Sequence, residues 1–310
     1  MKRYCLKGLL FIIIVFVLAG TAFLLSAKEP FRTILMYATN SEECDNESSE
    51  EIIPYIREVQ ENSDYTKLIV GDSVCRQLFN PFQKYNEVYC TVGSNQAITM
   101  IGHYLLIREF LESHPQTTDV YLVLSSMTGT GLDHGELAYQ YLVTPFSETG
   151  LLQNVSEQTK KDLKYKYGEF FTKPEVIQFI NHSPVAKKLY LNSYTNVEYD
   201  SVIMSFEYFG LIMKLCKERD INLYLLHSPM QESSREIMQQ ERERNLAACT
   251  SDSMRYYVER YYESIVYYPD SFFSDGVHFG PDYREEFQLA GYVRTMMEKE
   301  QTLSDFVLQP

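Results

Sequence analysis

The chain has no Cys-x-x-Cys pair, no tryptophan, no excess of basic residues and no second apolar run long enough to cross a membrane. Each absence closes off a class of protein. Beyond the N-terminal region the cysteines are Cys44, Cys75, Cys90, Cys216 and Cys249, an odd set without regular spacing, which is neither a disulfide framework nor a zinc site. Cys90 and Cys216 lie in apolar patterns and are expected as buried thiols, with a Cys44–Cys249 bridge left open. His103, His114, His134 and His182 show no mutual metal spacing. A formal net charge of −14 argues against nucleic acid, which would require a basic face, and suits solubility outside a cell. Without tryptophan, aromatic packing falls to 25 tyrosines and 18 phenylalanines. A tyrosine-rich surface suits a carbohydrate ligand, although core packing accounts for most of these rings. No internal repeat is present.

What is present begins with Lys2, Arg3 and Lys7, followed by an uncharged run over 8–27. That run has the roughly 20 residues a membrane helix needs. The positive-inside rule puts the N-terminus in the cytoplasm and everything after Lys28 outside. Leu25-Ser26-Ala27 is a poor cleavage site, so residues 1–28 are expected as an uncleaved signal anchor rather than a signal peptide. Residues 29–64, acidic and polar across 41–51, read as an extracytoplasmic tether. Residues 65–300 suffice for one large domain, leaving a tail at 301–310.

Within that domain, short apolar runs at 67–71, 88–92, 119–124 and 221–226 read as buried strands, with a fifth at 265–268. Helical patterns fill the gaps: 94–114 capped by Ser94, 206–219, 231–262 broken near 249–251, and 281–298 opened by Pro281. Continuous apolar strands alternating with helices predict a three-layer α/β fold, a doubly wound, flavodoxin-like parallel sheet of about five strands. Residues 129–200 break the alternation and read as an insertion after the third strand, placed to serve as a lid or substrate-selecting element.

Two short motifs carry chemistry. Gly71-Asp72-Ser73 closes the first strand and Asp275-Gly-Val-His278 lies some two hundred residues later. A serine hydroxyl is a weak nucleophile that needs a base, and the base needs an orienting group. A strand end would present Ser73 above the sheet, and a following helix N-terminus would aim amides at a developing oxyanion. His278 then takes the Ser73 proton while Asp275 fixes the imidazole tautomer. Asp72 is expected to hold the turn, and His227 at another strand end to be structural. This chemistry calls for no metal and no cofactor.

The order and position of these residues resemble the SGNH, or GDSL, hydrolase family. The resemblance spans about 67–298, with the insertion unmatched. It implies Ser73 as nucleophile with Asp275 and His278 completing a triad. Val92-Gly93-Ser94-Asn95 is similar to the family's second block, which implies that the Gly93 amide joins that of Ser73 in an oxyanion hole. The third block departs: the family's asparagine is replaced in Leu124-Ser125-Ser126-Met127-Thr128. Ser126, or the Asn95 side chain, would have to supply that donor. The departure, with His227-Ser228-Pro229, is similar to a divergent membrane-anchored branch that includes alginate-acetylation and teichoic-acid D-alanylation proteins. That likeness implies an exported O-acyl esterase or acyltransferase acting on an acylated cell-envelope or secreted polysaccharide, beside a membrane-bound acyltransferase. The alternatives are a non-catalytic carbohydrate-binding or scaffold protein of polysaccharide assembly, and a free small-ester esterase or lipase.

Overall fold

The computed structural model describes residues 2–39, 53–83, 88–93, 99–125, 157, 161, 174–192 and 204–282. Along the chain the elements are α1 (Lys2–Leu25), α2 (Phe31–Thr39), α3 (Ile53–Gln60), β1 (Lys67–Gly71), α4 (Ser73–Gln83), β2 (Tyr89–Gly93), α5 (Met100–Ser113) and β3 (Asp119–Leu124). There follow α6 (Pro174–His182), α7 (Pro184–Asn192), α8 (Phe206–Glu218), β4 (Asn222–His227), β5 (Met230–Gln231), α9 (Arg235–Ala248), α10 (Asp252–Glu263) and β6 (Tyr267–Tyr268). They fall into two compact units, Met1–Asn46 with Val143–Val197, and Glu47–Leu142 with Glu198–Pro310.

In the larger unit, β1 to β4 form a parallel sheet in the order β2-β1-β3-β4. The strands are short runs buried almost throughout, as expected of a sheet covered on both faces. Register aligns Gly71 with Gly93 on one side and with Val123 on the other, and Leu124 with His227. The strand order switches between β1 and β3, so the space beyond the carboxyl ends of those two strands is where a doubly wound fold binds ligands. On one face Val74, Leu78 and Phe79 of α4 pack with Ile69, Tyr121, Val123 and Leu226. Helices α5 and α8 pack together, α5 against β1 and α8 against β4.

Several expectations need correction. The run at 265–268 does not add a fifth strand to the main sheet; Tyr267–Tyr268 pairs in parallel with Met230–Gln231 in a separate ribbon. The cause lies at the outer edge of β4, which α10 covers. There the His227 amide, which a fifth strand would engage, donates to Ser264 Oγ at the end of α10 (2.8 Å), and α10 packs along that strand. Helix α5 is capped by Thr99, whose hydroxyl accepts from the Gly102 amide (3.0 Å), rather than by Ser94, which lies outside the described residues. Ile56 and Val59 of α3 are fully buried and α3 packs on α5, so folded structure begins ahead of residue 65. Cys249 is a free thiol, which removes the Cys44–Cys249 pairing. The break between α9 and α10 falls at 249–251 as expected, and Ser251 caps α10 through the Met254 amide (3.2 Å). The expected C-terminal helix is helical at 281–282 and otherwise lies outside the described residues.

The smaller unit holds α1, α2, α6 and α7. The stretch Lys7–Leu25 is long and apolar enough to cross a membrane. Of the insertion at 129–200, α6 and α7 are described. Pro184 opens α7 and Ser183 caps it, its hydroxyl accepting from the Ala186 amide (3.2 Å). These helices pack with α2 and with the last turns of α1.

Candidate active site

The site is built at the carboxyl end of β1. Asp72 is the N-cap of α4: its backbone carbonyl accepts from the Arg76 amide (3.0 Å), and its Oδ1 accepts from the amides of Val74 (3.0 Å) and Cys75 (3.4 Å). Its second oxygen, Oδ2, accepts from the Ser125 amide just past β3 (2.8 Å). One buried carboxylate therefore ties β1, the first turn of α4 and the end of β3 together. It also sorts the helix's first amides. Those of Val74, Cys75 and Arg76 are engaged, whereas the Ser73 amide has no partner among the described residues.

Two glycines let α4 sit this close. A Cβ on Gly71 would stand 2.1 Å from the Val123 carbonyl oxygen and 2.6 Å from Cys75 Cβ; one on Gly93 would stand 2.3 Å from the Arg76 nitrogen. Neither glycine adopts a positive φ, so close packing, and not backbone freedom, accounts for both.

The second half of the site is a tight loop. Phe273 and Phe279 form an antiparallel bridge, closed by the Ser274 amide donating to the His278 carbonyl (2.8 Å). Asp275 Oδ1 accepts from the amides of Val277 (2.8 Å) and His278 (2.7 Å), an Asx-type turn that fixes the carboxylate beneath its own histidine. Buried Val277 and Phe279 anchor the loop in the cluster with Val74, Cys75 and Leu78 of α4. Gln77 Oε1, one turn beyond Ser73, accepts from the Phe279 amide (3.1 Å). Gln231 Nε2 donates to the Asp275 carbonyl (2.9 Å).

These anchors bring Ser73, His278 and Asp275 into one line. Ser73 Oγ lies 2.6 Å from His278 Nε2, and His278 Nδ1 lies 2.9 Å from Asp275 Oδ2. Nδ1–H donates to the carboxylate, which leaves Nε2 to accept the serine proton. Partial burial raises the Asp275 pKa, but the His278 and Val277 amides and the His278 ring outweigh it and hold the carboxyl below its ordinary value. The Asp275 and His278 side chains keep 54% and 32% exposure, so the line is open to a reactant. Such an arrangement can deprotonate an alcohol, stabilise the resulting imidazolium and return the proton.

Gly93 closes β2 with its backbone against the first turn of α4. Asn95 and Ser126, the candidates for a further oxyanion donor, lie outside the described residues. Cys75, two residues from Ser73, is no rival nucleophile, because burial and the Asp72 charge push its thiol well above the ordinary value. His227 is fully buried with its ring 4.5 Å from that of Tyr261, and its Nδ1 donates to the Ser228 carbonyl (2.6 Å). Burial lowers its pKa to about 4 against the effect of that bond, so the ring is neutral near pH 7. No cluster of His, Cys, Asp and Glu suited to a metal occurs among the described residues. The sequence gives no warning of Gln77, Gln231 or the Ser125 amide; Gln77 alone has a spacing, four residues after Ser73, that a helix would place near it.

No family model and no curated protein matches the chain. Among solved structures, one described as that of a "putative platelet activating factor" from "Streptococcus pneumonia" aligns with 86% of this chain and 98% of its own length. The identity is 12% and the TM-score 0.35, too remote to carry an argument about chemistry.

Proposed function

We propose that this chain is an exported, serine-dependent O-acyl esterase or acyltransferase, and that its substrate is an acyl group carried on a cell-envelope or secreted polysaccharide. One observation carries the reading: the hydrogen-bonded line from Ser73 Oγ through His278 to Asp275, at 2.6 and 2.9 Å, between residues 205 positions apart. The Ser73 amide beside the nucleophile, without a partner among the described residues, supports it further.

In the proposed reaction Ser73 Oγ attacks the acyl carbonyl while His278 Nε2 takes its proton. The negative charge on the carbonyl oxygen is met by the Ser73 and Gly93 amides, with Asn95 or Ser126 as a third donor. The tetrahedral intermediate collapses, His278 protonates the departing alkoxide, and an acyl-serine remains. Water or a sugar hydroxyl then attacks, again losing its proton to His278, and releases the acid or a new ester. The polysaccharide assignment, and a membrane-bound acyltransferase as partner, rest on the resemblance of the sequence blocks to the SGNH family's membrane-anchored branch.

Treating the full chain in detergent with a fluorophosphonate and mapping the adduct tests the chemistry. The expected outcome is a single adduct on Ser73. An unlabelled protein, beside a serine esterase that labels under the same conditions, would establish the scaffold reading instead. Faster turnover of long-chain than of acetyl p-nitrophenyl esters would replace the polysaccharide by a lipid substrate.

A further inference from the structure

The smaller unit contains a contact that joins positions half the chain apart. Near the end of α1 the Phe23 ring lies 5.2 Å from that of Phe179 on α6. Ser26, just past α1, is buried and its hydroxyl meets that of Ser183, the residue that joins α6 to α7. The apolar stretch Lys7–Leu25 is 19 residues, about 28 Å at a helical rise of ~1.5 Å per residue. That matches a hydrocarbon layer of roughly 30 Å. If Lys7 marks one edge of that layer, Phe23 and Ser26 mark the other. Whatever touches them stands at the membrane surface.

The faces exposed there suit that position. On α2, Phe31 and Ile34 are neighbours at i and i+3 with 48% and 60% exposure. On α7, which packs against α2, Leu189 is 61% exposed. Lys28, Lys187 and Lys188 lie in the same segments, and Arg32 there is ion-paired with Glu29 (3.5 Å), in a chain whose net charge is −14. Short helices that expose large apolar residues beside lysine and arginine are what a bilayer interface accommodates: rings and aliphatic chains enter the headgroup–acyl boundary while the cations meet lipid phosphates.

We propose that α2 and the α6–α7 pair form an interfacial collar around the exit of α1, with Phe31, Ile34 and Leu189 inserted into the bilayer surface. The collar rests on α1 crossing the membrane and is independent of the chemistry at Ser73. It gives part of the insertion a purpose that the strand pattern does not reveal: to grip the surface from which the anchor emerges.

The lack of tryptophan makes the test clean, because one introduced indole is the whole signal. Single variants Phe16→Trp, Phe31→Trp and Leu189→Trp would be reconstituted as full chains in vesicles of equal parts phosphatidylcholine and phosphatidylglycerol. Emission is then compared with and without phosphatidylcholine brominated on its acyl chains. All three sites are exposed, so the replacements leave the fold intact. The collar requires quenching of about twofold at 31 and 189 as well as at 16, together with poor access to aqueous acrylamide. Quenching at 16 with acrylamide-accessible, unquenched indoles at 31 and 189 would overturn the collar and leave the span. No quenching at 16 would overturn both. Ser73 labelling by a fluorophosphonate reads the chemistry separately in the same samples.

Discussion

Among its described residues the larger unit contains two serine–histidine side-chain pairs, one at each end of its sheet. At the carboxyl end Ser73 Oγ stands 2.6 Å from His278 Nε2; ahead of β1 and β3, Ser63 Oγ stands 2.7 Å from His114 Nε2. The first contact is nearly identical in both. The difference lies behind the ring. His278 Nδ1 faces the Asp275 carboxylate at 2.9 Å, which can stabilise a positive imidazolium. His114 Nδ1 faces the neutral Phe110 carbonyl at 3.0 Å, its ring stacked on Phe110 at 4.0 Å and fully buried. Burial lowers the His114 pKa, more than its bond to Phe110 raises it. One pair is backed by a charge and open to solvent; the other is a closed bolt between the segment entering β1 and the end of α5. A serine hydroxyl on an imidazole is thus no evidence of catalysis until its third partner and its access are known.

The comparison breaks most sharply under alanine. Ser73→Ala is expected to abolish fluorophosphonate labelling and to lower acetyl-ester kcat by roughly four orders of magnitude or more. Ser63→Ala should leave kcat within about twofold and lower unfolding stability by about 1 kcal/mol. Equal loss of activity in both variants would erase the distinction drawn here. Next comes the group behind the ring: Asp275→Asn should lower kcat by roughly 10⁴ by favouring the wrong tautomer, with circular dichroism unchanged. A variant that retains wild-type turnover would remove Asp275 from the mechanism.

A smaller effect is expected at Gln77, which holds the Phe279 amide beside His278 from the helix that begins with Ser73. Gln77→Ala should lower kcat about tenfold with little change in KM. Gln77→Glu, which keeps an acceptor, should recover most of the loss; equal loss in both variants would show that the acceptor is not what matters.

The smallest effect is on stability against pH. His103, His114 and His227 all have lowered folded pKa values, chiefly from burial, His103 at about 3 and His227 at about 4. The unfolded chain therefore takes up these protons first, and their contribution is full above the ordinary value of 6.5 and lost as pH falls below it. Glu58 and Glu241 act in the opposite sense. Burial raises both to about 7, so each gives stability present below 4.5 and lost as pH rises through 7. The two trends offset each other between 4.5 and 6.5. In the Glu58→Gln, Glu241→Gln double variant, urea midpoints should begin to fall at pH 6.5, whereas wild type should hold until lower pH. Parallel curves would show that these groups do not set the profile.

Much of the layout is legible in the sequence because burial on both faces demands continuous apolar runs, and β1 to β4 are such runs. Ser73, Asp275 and His278 are legible because few residue types can do proton-relay chemistry and their order along the chain is informative. Other features leave no such trace. Nothing in the pattern at 265–268 separates a strand of the main sheet from one that pairs only with Met230–Gln231, since that choice depends on Ser264 occupying the edge of β4. Ser94 and Thr99 are both good caps, and residue type does not choose between them. Side-chain amides that grip a backbone group far away, as Gln77 and Gln231 do, have no periodicity at all. The destination of the insertion is set by Phe179 and Ser183 meeting α1, contacts that link residues 157 positions apart in the serine pair.

The separation of Ser73 from its imidazole has a temporal side. Synthesis runs from the N-terminus, so the alcohol, the latch at Asp72 and all four strands of the main sheet exist before position 278 is added. On the proposed reading, a half-made chain carries a serine that nothing can ionise, and it passes through its export route chemically silent. Reactivity arrives with the closing of a single loop, after nearly everything else has been put in place.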